Sequence, residues 1–434
     1  MTVDSDPRPP LPPAEPVVRV RVLRLSAAEE GGEPIRLETE DDWIQLSCPK
    51  ARPGDPPESL NLTPGQPDPG TLWNPAVADD ETVTLRSPIL IELCADRWRV
   101  VDGWGGRAEV DPSLPVEFSP AVSPESGIRV WNRGFPGALR IHALGDADER
   151  TIEVINHVAM ESYLPGVLAG ELYSHWRLQT HVAQAVAARS FACCEQAYFA
   201  SRRHYDVTDT ARSQMYRGAE VSDRAVEAVQ MTRGQVLVWQ DRLVPGYYSS
   251  CCGGTAARAV DVIGPNPVND IPPLYGRSGS DICSAAPRYR WEVSRPIRLL
   301  TQRLVAYGEQ RGIKDLTALA RVTSIEVAEQ NEHGRPISYA ITDRRDHRAE
   351  IPARTLRFAA NFGDEDLDRP EKPLHSSHVE VTIIGRTATF DGRGHGHGAG
   401  LCQYGAQALA AQGGEYESIL RWYYPEVEIE QAYV

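Results

Sequence analysis

The chain has 434 residues and a formal net charge of −15 at pH 7. That length can bury a full core and divide into two or three domains, which excludes a small stapled scaffold. The acidic balance argues against a nucleic acid or an anionic membrane held by bulk charge, and no run of roughly eighteen apolar residues offers a transmembrane segment.

Residues 1–16 hold six prolines and are expected to form an unpacked, polyproline-like lead. They show neither the basic start nor the apolar stretch of an export signal. From Val17 to Leu25 apolar and basic residues alternate as in a half-buried strand. Ile35 to Leu46 and Thr82 to Cys94 continue the pattern, giving a β-rich region over 17–130. Pro49 to Pro75, crowded with Pro, Gly and Asp, reads as a long loop.

The remaining region, 131–434, mixes hairpins with helices. Strands are expected at Ala138–Leu144 and Thr151–Val158, then helices near Glu161–Leu172 and Leu178–Ala200. In the second helix Val182, Ala185, Val186 and Arg189 recur at three- and four-residue steps, which puts the arginine at the edge of an apolar stripe. Ser222 is placed to cap a helix over Asp223–Met231. Strands Gln235–Trp239 and Leu243–Ser250 follow, then a helix opening at Ser294-Arg-Pro296 and ending near Gly312. Val322–Glu329 and Ile337–Thr342 flank a hairpin loop at Asn331-Glu-His-Gly-Arg335. Without βαβ repetition, the expected fold class is α+β.

The eight cysteines include two vicinal pairs, Cys193-Cys194 and Cys251-Cys252, and lack the spaced framework of a disulfide-rich domain. Cys48, Cys94, Cys193 and Cys194 read as small buried hydrophobes. Near the end, Gly392-Arg-Gly-His-Gly-His-Gly-Ala-Gly400 puts glycine at every second position, ahead of a helical pattern over Gln403–Gln412. If extended, the segment shows bare backbone on one face and Arg393, His395 and His397 on the other. Glycine weakens a strand, so its repetition implies a ligand or another backbone at close approach.

With the following Leu-Cys-Gln-Tyr-Gly-Ala406, this run resembles the C-terminal signature GRGWGHGVGMSQYGA of the SpoIID/LytB proteins of bacterial cell-wall remodelling. Tyr163-Leu-Pro-Gly-Val-Leu-Ala-Gly-Glu171 and Gln184-Ala-Val-Ala-Ala-Arg189-Ser-Phe are similar to the family's YLxGVVxxE and QAVAARTYA. Tyr205-Asp-Val-Thr-Asp-Thr210 with Gln214-Met-Tyr-Arg-Gly218 resembles its DVTDT and QVYxG segments. The three blocks stand in family order.

The resemblance makes 131–434 the catalytic region of a peptidoglycan lytic transglycosylase cutting MurNAc-GlcNAc strands to 1,6-anhydro products, with peptide-stripped strands among its candidate substrates. A glycoside hydrolase normally uses two carboxylates, whereas such an enzyme can use one twice. That residue is Glu171, whose apolar neighbours would raise its pKa toward about 6, as suits a general acid. Arg189 would hold a substrate group or orient Glu171. Arg393, His395, His397, Gln403 and Tyr404 would bind substrate against the glycines. His395 stands where tryptophan is usual, a loss of an aromatic platform that would weaken stacking on a sugar ring, and Cys402 stands where serine is usual.

Tyr248-Ser-Ser-Cys-Cys-Gly-Gly-Thr255 resembles the family's FHACCGGHT element, which binds zinc in some members together with a later cysteine, here Cys283. Ser249 and Thr255 replace both histidines. No cofactor is required, but Cys251, Cys252 and Cys283 could hold a structural zinc with a fourth ligand from elsewhere, or Cys283 could form a disulfide with either neighbour. Two rival readings are a non-catalytic wall-binding module that activates a cell-wall amidase, as LytB-type relatives are regarded, and a metal-dependent hydrolase using His395, His397 and Cys402. The resemblance implies action outside the cytoplasm.

Overall fold

The computed structural model describes residues 6–26, 34–47, 82–94, 97–123, 126–145, 150–277, 281–365 and 367–434. Strands and helices mix in the manner of an α+β protein, with antiparallel hairpins building most of the sheets. Cys48 and the stretch Pro49–Pro75 lie outside the described residues.

The chain folds into two compact units, each assembled from separated segments. One comprises Pro12–His175, Ala192–Gly234 and Gln431–Val434, and the other Met1–Leu11, Trp176–Phe191 and Gln235–Glu430. The units therefore do not divide at residue 130. The reason is strand pairing: the opening strand Val17–Ser26 runs antiparallel to Thr151–Ala159, bringing the β-rich region and the later motif blocks into one sheet.

In the first unit a seven-stranded sheet has Val17–Ser26 and Thr151–Ala159 near one edge, with Val207–Thr208 adding a short parallel edge strand. The alternation read along Val17–Leu25 is realised as Val18, Val20 and Val22 in the core. Asp206 fixes the edge by accepting from the Arg19 backbone N–H at 2.8 Å and from its guanidinium Nε at 3.0 Å. Helix α1, Met160–Glu171, leaves the sheet directly. Ser222 caps Asp223–Met231 by accepting from Ala225 N–H at 3.3 Å, as its position predicts.

The second unit holds most of helix α2, Leu178–Phe199. Val182, Ala183 and Ala185 to Ala188 are all fully buried, so no single apolar stripe exists; the helix is enclosed around this stretch. A helix-and-sheet core forms around Leu300, Leu304, Tyr339, Ile341, Leu356 and Phe390. The hairpin Val322–Gln330/Pro336–Asp343 appears as expected. Ser294–Pro296 ends a strand instead of opening the helix, which runs Ile297–Arg311 with Gly312 as its left-handed cap.

Two further expectations change. Residues 6–16 are packed, contrary to an unpacked lead. Arg8 is buried, stacks 4.7 Å from the Trp239 ring centroid and donates to the Trp239 carbonyl at 2.7 Å, while Asp6 pairs with its guanidinium. Leu243–Ser250 is not one strand but two short ones, Arg242–Leu243 and Tyr248–Ser249. Gly246 lies between them, and a Cβ there would come within 2.1 Å of the Ala187 carbonyl oxygen.

Candidate active site

Glu171 is the last residue of α1, half-buried and flanked by exposed Tyr173, Ser174 and His175. A carboxylate here faces the negative end of the helix dipole, an unfavourable place for charge. The Met215 backbone N–H offsets this by donating to Glu171 Oε1 at 2.8 Å. Met215 belongs to the block Gln214–Gly218, so two separate sequence blocks meet at this carboxylate.

The rest of α1 explains why they meet. Tyr163 donates its hydroxyl to Gln214 Oε1 at 3.1 Å, and Tyr216 donates to Asn156 Oδ1 at 2.9 Å. Gly166 and Gly170 let the 214–218 backbone lie directly on the helix. An added Cβ would stand 2.4 Å from the Gly218 carbonyl oxygen in the first case and 2.7 Å from that of Met215 in the second. Asp209, half-buried, takes an ion pair from Arg133 at 3.0 Å, and the same guanidinium donates to the Tyr216 carbonyl. The residues of these two blocks thus cradle Glu171.

Arg189 lies in the other unit, fully buried, and donates to the Gln235 carbonyl at 3.1 Å. It does not sit at the edge of an apolar stripe, because the helix around it is buried on every side.

The glycine run is not a flat strand. Regular pairing ends at Arg393, and Gly394, Gly396, Gly398 and Gly400 all have positive φ, from +66° to +100°. That alternation destroys the period-two geometry on which a one-sided display of Arg393, His395 and His397 depends. The bare backbone meets protein, not an open platform. At Gly394 a Cβ would stand 2.5 Å from the Cys251 carbonyl oxygen, and at Gly398 2.5 Å from the Arg335 guanidinium.

The run's own peptide groups are tied down. His395 and Cys251 exchange both backbone bonds, at 2.8 and 3.1 Å, Gly398 N–H reaches Ser249 Oγ, and Trp291 Nε1 donates to the Gly394 carbonyl. Ser249, standing where the family has histidine, therefore secures the run.

The side chains diverge. His397 accepts from Ala399 N–H at Nδ1, 3.1 Å away, and burial followed by the Arg335 charge pushes its pKa down to about 4, so the ring is neutral. His395 packs edge-on to His375, which in turn packs on Trp291, with ring centroids 5.4 and 5.3 Å apart. Burial lowers the pKa of both histidines. Arg393 borders an open groove of about 490 Å³ lined also by Trp291, Glu292, Glu380 and Asp391. Gln403 is buried at the start of the following helix, and Tyr404 packs edge-on against Trp176 at 4.9 Å.

Beside the run lie four thiols. The Sγ atoms of Cys251, Cys283 and Cys402 are within 4.8 Å of one another, all buried, and Cys252 Sγ is 3.6 Å from Cys283 Sγ. None forms a disulfide, a bond that requires about 2.05 Å. Hydrogen bonds from the other three thiols hold Cys283 well below the ordinary thiol range, and the same contact with Cys283 pushes Cys251 up to about 12 and Cys252 to about 11. Cys402 stands with these thiols and not with His395 and His397. The ligand set expected of a metal-dependent hydrolase is thus not assembled among the described residues.

Sequence reasoning missed the place of Cys402 and the role of Arg335. This buried arginine donates to the carbonyls of Cys252 at 2.9 Å, Thr255 at 2.8 Å and His397 at 3.0 Å, joining the cysteine loop to the glycine run. Its place in a hairpin loop carried no local sign of this, because its partners lie 62–83 residues away.

Residues 148–239 match the SpoIID family, described as stage II sporulation protein. An uncharacterized protein of Brachyspira hyodysenteriae is 28% identical over 64% of this chain and 68% of its own length. The amidase enhancer of Bacillus subtilis is 25% identical over 60% of this chain but only 39% of its own length. Stage II sporulation protein D of Bacillus subtilis is 23% identical over 64% of this chain and 76% of its own. The blocks around Glu171 fall inside the matched region, so residues 148–239 form a SpoIID-type region, and the chain is similar to SpoIID and amidase-enhancer proteins over about 60–64% of its length.

Proposed function

We propose that the protein works on the bacterial cell wall as a lytic transglycosylase, cleaving peptidoglycan glycan strands with Glu171 as its single acid/base. The observation that carries this reading is the carboxylate at the end of α1, half-buried and held through one oxygen by Met215 N–H, with exposed residues beside it. Protonated Glu171 gives its proton to the glycosidic oxygen as the C1–O bond breaks. The carboxylate then takes the proton of the muramyl 6-hydroxyl, whose oxygen closes on C1 to give the 1,6-anhydro sugar. No water is consumed, and Glu171 ends the cycle protonated.

Arg189, buried and bonded to the Gln235 carbonyl, braces helix α2 against the Gln235 strand within its own unit. Arg393, with Trp291 in its open groove, supplies a cationic and aromatic edge for a sugar chain. A second reading, activation of a wall amidase, rests on the similarity to the Bacillus subtilis amidase enhancer.

The test is mass spectrometry of intact and amidase-stripped peptidoglycan after incubation with the wild type and with Glu171→Gln. Anhydromuramyl products from the wild type alone support the enzyme. Equal product from both proteins rejects Glu171. No cleavage, with faster wall release when a purified amidase is added, moves the assignment to the activator.

A further inference from the structure

We propose that the β-rich region carries a glycan-binding platform at Trp104, buttressed by Trp43 and Arg86 and distinct from the carboxylate at Glu171. Three turns, 39–42, 87–88 and 102–106, each join two strands and meet at one end of this region. Ser87 N–H donates to the Asp42 carbonyl and Gly103 N–H to the Arg86 carbonyl, both at 2.8 Å. Gly103 permits that approach, because a Cβ there would stand 2.6 Å from the Ser87 carbonyl oxygen.

The converging turns assemble one aromatic cluster. Trp104 and Trp43 pack edge to face, with ring centroids 5.1 Å apart and planes at 84°. The Arg86 guanidinium lies 5.1 Å from the Trp104 ring and 5.8 Å from that of Trp43. Trp104 nonetheless stays 54% exposed. Its backbone is pinned, since one oxygen of the buried Asp102 carboxylate accepts from Trp104 N–H at 3.0 Å and from Gly106 N–H at 2.7 Å. A large indole held in water on a fixed turn forgoes the burial that usually decides where tryptophan sits, and presents a rigid apolar face.

The surroundings of the indole select its occupant. Arg86 and Asp42 form a pair at 3.4 Å, with side chains 37% and 63% exposed, so the open aromatic surface is edged by both donors and acceptors. A pyranose ring has the complementary make-up, with C–H groups on its faces and hydroxyls around its rim. A bilayer does not, because inserting Trp104 would carry the neighbouring ion pair toward lipid. Choosing the N-acetylated glycan of the wall among pyranose chains rests on the reading of the protein as a cell-wall protein, but the platform makes no use of Glu171. Trp104 precedes the matched residues 148–239, and in the seven-stranded sheet two strands separate Trp43–Ser47 from Thr151–Ala159, the strand that leads into α1. The platform therefore holds a glycan strand to the protein independently of the acid/base.

The experiment uses the whole chain with Glu171→Gln, so that no cleavage intervenes, and chitohexaose as the probe. The nine tryptophans are replaced by 5-fluorotryptophan, and the Trp104 fluorine resonance is assigned by its loss in Trp104→Phe. Chitohexaose should shift the Trp104 resonance and leave that of Trp131, a 40% exposed tryptophan at another turn of the same region, in place. In calorimetry Trp104→Ala should weaken binding about tenfold, with partial recovery in Trp104→Phe and no change in Trp131→Ala. A Trp104 resonance unmoved by saturating sugar overturns the proposal, as does wild-type affinity in Trp104→Ala. A shift produced by anionic vesicles or by a wall stem peptide, and not by the sugar, also overturns it. Glycan cleavage is not read, so failure here and failure of the Glu171 mechanism are separate results.

Discussion

Replacing Gly394 by alanine tests whether the glycine run is shaped by protein contacts. At φ +79° a residue with a Cβ costs about 1–2 kcal/mol. The new methyl would also stand 2.5 Å from the Cys251 carbonyl oxygen and 2.9 Å from both the Cys252 carbonyl carbon and Gly253 N. These are backbone atoms, and the Cys251 carbonyl is already committed to His395 N–H at 2.8 Å, so relief requires moving two paired segments. Overpacking of this kind adds about 1–3 kcal/mol.

Gly385 supplies the control. It has φ +61° in a hairpin turn with nothing within 4 Å of its added Cβ, so alanine there carries only the conformational cost. Urea titrations of the wild type and both variants, followed by circular dichroism, should show Gly394→Ala less stable than Gly385→Ala by about 1–3 kcal/mol. Equal losses would refute the close-approach argument and return the run to the role of an open ligand platform.

Two further outcomes are expected. His157 is depressed to about 3 by burial, then by the charges of Arg140 and Arg19, so the folded state keeps it neutral while the unfolded chain protonates near 6.5. Stability should therefore fall as pH drops from 6.5 toward 3, by up to about 1.4 kcal/mol per unit from this group. His157→Leu should flatten that part of the stability–pH curve, and an unchanged slope would contradict the assignment. Ser222→Ala, which removes the cap bond to Ala225 N–H, should cost about 1 kcal/mol in thermal or urea unfolding without altering glycan products.

Local chemistry was legible where it decided structure alone. Ser222 announced its helix because a hydroxyl before Asp223 can satisfy a free N–H, and Val17–Leu25 announced a strand because its alternation serves one buried face. Glu171 was legible only through its motif, since nothing near it in sequence shows that Met215, 44 residues on, will hold the carboxylate. The glycine run misled because period two predicts a strand only when every residue has extended φ, and positive φ at the glycines was invisible. Cys402 looked like a defect in a sugar site because its nearest partners lie about 150 residues back, at the Cys251–Cys252 turn. Leu243–Ser250 broke in two at a glycine held against Ala187, a neighbour in space alone.

The segmental make-up of the two units bears on how the protein can be made. One unit needs residues from the opening lead and from as late as Glu430, while the other needs Gln431–Val434, where Tyr433 donates its hydroxyl to Glu161 and its carbonyl packs on Gly234. Each unit joins residues from the first dozen positions to residues at 430 or beyond, so early strands wait for partners far down the chain. A cut anywhere between residues 12 and 430 divides both units. Function and stability in this chain are thus inherited whole, and deletion mapping by contiguous pieces would report misfolding where it seeks activity.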